Sequence, residues 1–248
     1  LLTGETIDQI AAGEVIENPA SVIKELVENS LDAKSGFIAI EIKGGGARWI
    51  RVADDGNGMG SEDVMLCLKR HATSKLRNIG DLDSVISMGF RGEALASIAS
   101  ISQMSVTSCQ KNQKNGLGVT LSSAGGSLKK IQPAARGPGT TIEVSSLFYN
   151  VPARKKFQKS DRVSQTEVLK MLTKLALGFP HVGFKLAIDC GQVLLSSTKK
   201  DGKDFFHALN QTINDVLGTH FLKEASKIEY EKDQLSLKGY IGMPTQAR

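Results

Sequence analysis

Glu25, Glu28, Asn29 and Asp32 recur at intervals of three and four residues. On a helix they would therefore share one face. Such a face is ordinarily a solvated stripe, here with Lys24 alongside. The alternative is oxygen chemistry. A carboxylate and a carboxamide at i and i+4 can together hold Mg²⁺, which prefers hard oxygens and keeps several waters. Glu25 would then polarise a water for attack on phosphorus.

Two glycine-rich stretches follow. Asp54-Asp55-Gly56-Asn57-Gly58-Met59-Gly60 comes directly after an apolar run and reads as a turn. It reads equally as a nucleotide contact, in which Asp54 accepts from an exocyclic amine such as that of adenine. Gly56 and Gly58 would then let the backbone approach a flat ring. Neither the GxGxxG dinucleotide fingerprint nor GxxxxGK[ST] describes it. Gly89-Phe90-Arg91-Gly92-Glu93-Ala94-Leu95 leads into a helical pattern, as a simple cap or as an anion site built from unpaired N–H groups. His71-Ala72-Thr73-Ser74-Lys75 adds hydroxyls and a cation upstream. Arg154, Lys155, Lys156, Lys159 and Arg162 form the densest basic run. That run is either a solvated face or a surface that neutralises DNA phosphates without reading bases.

These residues need elements to hold them. Asn18-Pro19 has the form of an N-cap with proline at the first helical position and predicts a helix to about residue 33. Strands are expected at 37–42 and 49–53, joined at Gly44-Gly45-Gly46, with further strands at 103–109, 117–122 and 140–147. Helices are expected at 61–71, 93–102 and 164–176, and residues 72–92 read as a polar loop. Hairpins separated by helices argue for an α+β fold. The stretch 196–203 reads as a boundary or an exposed hairpin tip, with a new unit beginning at about residue 204.

The bulk properties agree with an ordinary globular chain. It has 248 residues, 40% of them hydrophobic and 23% charged, which excludes disorder and collagen. Three widely spaced cysteines, Cys67, Cys109 and Cys190, indicate neither a disulfide framework nor a zinc site, and suggest a reducing compartment. No apolar run approaches a membrane span and no signal-peptide pattern opens the chain, so a soluble, cytoplasmic protein with no membrane partner is expected. A formal charge of +5 permits a polyanion partner without establishing one.

In this order and spacing, ELVENSLDA (25–33), DDGNGMG (54–60) and GFRGEAL (89–95) resemble the GHKL-type ATP-binding fold. DNA gyrase B subunits, histidine kinases, heat-shock chaperones and MutL share it. The flanks QIAAGEVIENPASVIK (9–24), RHATSK (70–75), GTT (139–141) and LFYNVPARKKF (147–157) narrow the resemblance to the MutL mismatch-repair family, most of all its bacterial forms. It is strong over residues 5–160 and looser beyond.

The resemblance implies an α+β sandwich of mixed or antiparallel sheet with helices on one face. The ATPase domain would cover 1–198, with 1–16 as a dimer-exchange segment and 72–92 as an ATP lid. A second, transducer-like domain would begin at 204–248. Glu25 would be the general base and Asn29 the Mg²⁺ ligand, while Asp54, aided by Thr140 and a water, would read adenine. Asp32, Ala33, Gly56, Gly58, Met59, Thr73, Ser74, Lys75 and the segment Gly89, Phe90, Arg91, Gly92, Glu93, Ala94 and Leu95 would line the ATP. The family's lysine that reaches the γ-phosphate belongs to a segment beyond residue 248, which puts turnover by these residues alone in question.

Implied partners are a second copy or a paralogue on ATP binding, a MutS-like mismatch sensor, and a downstream nuclease and helicase. DNA would be held through its backbone phosphates. The location would be the bacterial nucleoid, or the nucleus in a eukaryote. Two rivals remain in view. One is another GHKL ATPase such as a type II topoisomerase subunit, against which RHATSK and LFYNVPARKKF argue. The other is a nucleotide-gated DNA-binding module with little turnover.

Overall fold

The computed structural model describes residues 12, 13, 15–70, 72, 88, 89, 92–113, 116–196, 204–233 and 235–243. Helix α1, Pro19–Asp32, begins as its sequence dictates: Asn18 is extended and its side chain accepts the Ser21 N–H at 2.9 Å, satisfying one orphan donor of the first turn. Val22, Ile23, Leu26, Val27 and Leu31 are buried along one face. Lys34, at a φ of 61°, turns the chain out of the helix.

That face lies on an eight-stranded mixed sheet, ordered β5-β4-β3-β6-β2-β1-β7-β8. Its strands are β1 Phe37–Lys43, β2 Trp49–Asp54, β3 Gln103–Cys109, β4 Leu117–Ala124, β5 Ser127–Ala135, β6 Gly139–Ser145, β7 Gly183–Ile188 and β8 Gly191–Ser196. Alternation along each strand sends every second residue to the helix side. Register turns this into one continuous apolar row: Leu121, Val106, Ile142, Val52, Ile40, Leu186 and Leu194 are successive cross-strand partners. All seven are buried. The opposite face carries a polar row that includes Glu41, Arg51 and Glu143, with an Arg51–Glu41 ion pair at 2.5 Å.

Two more helices cover the apolar face. Helix α3, Ala94–Ser100, packs on α1, β3 and β4, and α5, Asp161–Gly178, packs on α1 and β7 through Val168, Leu172 and Ala176. Two short helices complete this part of the chain: α2, Ser61–Leu66, lies between α1 and α3 in sequence, and α4, Pro152–Lys156, between α3 and α5. No helix among the described residues is long and apolar enough to cross a membrane.

Several predicted bounds shift. The helix expected over 61–71 ends at Leu66 and continues as turns to Arg70. The strand expected to reach 147 stops at Ser145, because Ser146 and Phe148 adopt positive φ. Strand β5 carries no sequence signal, being exposed along almost its whole length. After residue 204, helix α6, Phe205–Leu217, packs against β8 and α5, burying Phe206, Ala208, Leu209 and Ile213. Strands β9, Ala225–Lys232, and β10, Leu235–Gly242, form a separate two-stranded sheet, which touches α6 edge-on through Tyr240 and Phe206 at 5.9 Å.

Candidate functional site

Asp54 ends β2, and three donors converge on its carboxylate. Oδ1 accepts the N–H groups of Gly56 at 2.9 Å and Thr140 at 3.1 Å, and Oδ2 accepts the Ser30 hydroxyl at 3.0 Å. An ionised carboxylate offers about four acceptor positions. Among the described residues three are taken, and Oδ2 retains one for a further donor. Arg136 braces the same strand end: Nη2 donates to the Asp54 carbonyl at 2.9 Å, and Nε and Nη2 both reach Thr141 Oγ1 at 3.1 Å. Burial pushes the Arg136 pKa down, against the opposing pull of Asp54.

The loop after Asp54 must be glycine at Gly58. Its φ is +65°, and a Cβ there would lie 1.9 Å from the Cys109 carbonyl oxygen. Gly139 is equally constrained, since its Cβ would meet the Asp54 carbonyl at 2.1 Å. The loop is tied down at several points. Asn57 N–H donates to the Ala33 carbonyl at 2.8 Å, Lys111 N–H to the Asn57 carbonyl at 2.9 Å, and Met59 N–H to the Ser108 hydroxyl at 2.8 Å.

On α1, the four residues of the polar stripe divide. Glu28 is buried and paired with Lys24 at 3.0 Å, which makes it structural, whereas Glu25 is partly exposed with the same ammonium 3.7 Å away. Partial burial alone would lower the Lys24 pKa, but the hydrogen bond to Glu28 and the charges of both glutamates outweigh it and leave it raised. Asn29 is half-buried. Asp32 accepts the N–H groups of Met88 at 3.1 Å and Gly89 at 3.3 Å, so the last turn of α1 holds the segment leading into α3. Gly92 has positive φ, and Glu93 precedes α3 without a side-chain cap bond; Ala94 and Leu95 are half-buried in its first turn. The expected contacts Thr73, Ser74, Lys75, Phe90 and Arg91 lie outside the described residues.

The described residues contain no cluster of three or more His, Cys, Asp or Glu fit to cage a metal. What α1 provides is one carboxylate and one carboxamide a turn apart. That donor set fits Mg²⁺ held mainly by phosphates and water.

The basic run is not one surface. Arg154 is turned inward, its Nη1 donating to the Ile16 carbonyl at 2.7 Å and its Nη2 to the Gly13 carbonyl. Ala12 and Ile16, on the segment it grips, are fully buried in the core. Lys159 is paired with Glu167, while Lys155, Lys156 and Arg162 are exposed. Sequence reasoning missed Ser30, Ser108 and Arg136. Ser30 carried a usable signal, since it lies within the polar turn of α1, four residues after Leu26. Arg136 carried none, because its role depends on β2 and β6 being neighbours.

Residues 16–136 match the family model described as histidine kinase-, DNA gyrase B-, and HSP90-like ATPase. The chain is 42% identical to the DNA mismatch repair protein MutL of Neisseria meningitidis over 251 aligned residues, covering all of this chain and 36% of that protein. It is also 42% identical to the MutL of Coxiella burnetii, covering 42% of that protein. The chain thus spans between a third and a half of the length of these curated relatives. Among solved structures, the Aquifex aeolicus MutL ATPase domain complexed with ADP superposes with a TM-score of 0.66 at 29% identity, over 87% of this chain and 73% of that one. The N-terminal domain of a DNA repair protein superposes with a TM-score of 0.75 at 25% identity, over 99% and 75% respectively.

Proposed function

The chain belongs to the MutL family, as an N-terminal region of the histidine kinase-, DNA gyrase B- and HSP90-like ATPase type, and we propose that it binds ATP and hydrolyses it slowly in DNA mismatch repair. The observation that carries this reading is the Asp54 carboxylate, locked by Ser30, Gly56 and Thr140 with one acceptor position open. An adenine amine completes that set. Ser30 ties Asp54 to α1 one residue after Asn29, so the base-reading carboxylate and the polar face of α1 are held as a unit.

In this mechanism Glu25 accepts a proton from the attacking water. The Asn29 oxygen would hold Mg²⁺, whose charge offsets that of the phosphates. Asp32 holds the backbone at Met88 and Gly89, and thereby the approach to α3, whose N-terminal amides would face the phosphates. The ADP in the Aquifex aeolicus relative supports a nucleotide here.

We assign residues 1–198 to the ATPase unit, with 72–92 as its lid, and 204–248 to the beginning of a transducer-like unit. ATP-driven lid ordering and pairing with a second copy or a paralogue would relay mismatch recognition from a MutS-like sensor to a nuclease and helicase. DNA would be contacted through phosphates by Lys155, Lys156 and Arg162, in a bacterial cytoplasm. The test is calorimetric titration of the full chain with Mg-ATP analogue, alongside phosphate release, for wild type and Asp54→Ala. Binding that is abolished in Asp54→Ala supports the reading; a wild type that binds no adenine nucleotide overturns it.

A further inference from the structure

Lys24 lies beside two carboxylates of α1 and is not shared equally between them. Its Nζ is 3.0 Å from Glu28 Oε1 and donates to Glu28 Oε2 at 3.1 Å, yet it stays 3.7 Å from Glu25 Oε1. The first two distances are those of a charge-assisted pair, whereas 3.7 Å lies outside hydrogen-bond range. Burial accounts for the preference. The Glu28 side chain is 7% exposed and that of Glu25 26%, so less water screens the attraction at Glu28. Spacing works the same way, since residues 24 and 28 are neighbours on the helix surface and residues 24 and 25 do not face each other.

A general base must offer a lone pair to the water it deprotonates. An ammonium hydrogen-bonded to that carboxylate occupies a lone pair and favours the charged form, and both effects blunt the base. We propose that Glu28 is a positioning residue for hydrolysis: by holding the Lys24 ammonium it keeps that cation from closing on Glu25, and so leaves the Glu25 carboxylate able to take the proton of the attacking water. The Lys24–Glu28 pair also serves the fold, because a buried carboxylate needs a partner. The side to which Lys24 is drawn nevertheless decides whether Glu25 can act. This rests on the reading of Glu25 as the general base.

The experiment is phosphate release from Mg-ATP by the full chain, with kcat and KM determined separately for wild type, Glu25→Ala, Glu28→Gln and the double variant Lys24→Met with Glu28→Gln. A hydrogen bond to a charged group corresponds to about a ten- to hundredfold change in rate. Glu28→Gln keeps the shape but leaves Glu25 as the anion nearest the ammonium, and is expected to lower kcat by that factor with KM little changed. Adding Lys24→Met removes the released ammonium and should recover most of the loss. A merely structural pair would leave the double variant no faster than Glu28→Gln; that result overturns the proposal, as does an undiminished kcat in Glu28→Gln. Lys24→Arg keeps Glu28 paired while its forked donors can reach both carboxylates. It should slow kcat at unchanged Tm, and it carries the comparison if Glu28→Gln does not fold; an Arg variant as fast as wild type then overturns the proposal. A wild type that releases no phosphate, or Glu25→Ala as fast as wild type, removes the base reading and this inference with it, whereas a slow Glu25→Ala beside a fast Glu28→Gln removes the inference alone.

Discussion

The Ser30 hydroxyl lies 3.0 Å from Asp54 Oδ2 and 3.1 Å from the Leu26 carbonyl, pinning the end of β2 to the inner turn of α1. The residue on α1 that touches the Asp54 carboxylate is therefore the immediate neighbour of Asn29. Replacing Asp54 by Asn keeps the shape but gives one end of the side chain donors where three donors already converge. We expect Asp54→Asn to weaken adenine-nucleotide binding at least tenfold, since hydrogen bonds to charged groups are worth about 1.5–3 kcal/mol. Calorimetric titration checks it.

Glu25→Ala should separate binding from chemistry. A positioned general base contributes about 10²–10⁴-fold, so phosphate release is expected to fall by that factor while nucleotide affinity changes little. Loss of both together would remove Glu25 from the role of base.

Asp32→Ala frees the N–H groups of Met88 and Gly89 from their carboxylate. The expected result is faster proteolytic cleavage near residue 88 and a larger loss of affinity for ATP than for adenosine, because the proposed function puts the phosphates at this end of α1. Limited proteolysis with and without nucleotide reads the first effect. Titration with the two ligands reads the second.

Arg154→Met should act on stability rather than on DNA. It strands two backbone carbonyls on the segment bearing the buried Ala12 and Ile16, a loss of about 1–3 kcal/mol, which is roughly 2–12 °C in Tm for a chain of this size. Joint replacement of Lys155, Lys156 and Arg162 by Gln should leave Tm nearly unchanged and flatten the salt dependence of DNA binding. An Arg154 variant with unchanged Tm and a flattened salt slope would reverse the two assignments.

Burial pushes the Cys67 thiol up to about 12, from an ordinary 9.0. A raised folded-state value favours the folded protein below pH 9, and this contribution is lost as pH rises from about 9 to about 12. Cys190 is exposed and Cys109 buried. Alkylation at pH 8–9, followed by mass mapping, should therefore modify Cys190 first, with Cys67 and Cys109 following only on unfolding. Early modification of Cys67 would contradict its environment.

The local sequence carried much of this. The Asn18-Pro19 start, the β1–β2 hairpin with its glycine turn, and the place of Asp54 at the end of a strand were all legible, because capping, alternation and glycine need only near neighbours. Strand β5 was not, since a ribbon exposed on both sides has no apolar period to read. The parallel pairing of β1 with β7 was hidden for another reason: nothing in either strand names its partner. For the site, the same limit concealed Arg136 and Ser108, whose roles exist only once β2, β3 and β6 lie side by side. It also made Arg154 look like one more surface cation.

That parallel pairing has a consequence for how the chain acquires its shape. Strand β1 lies between β2, which follows at once, and β7, while Gly44, just beyond β1, bonds to the Asp189 side chain 145 positions away. A ribosome must therefore synthesise most of the chain before the central strand gains its second neighbour. Until then Ile38, Ile40 and Ile42 have an open edge. Such distant closure places the chain among slow folders, and it makes the nascent N-terminal half a natural client for protection against association with other unfinished chains.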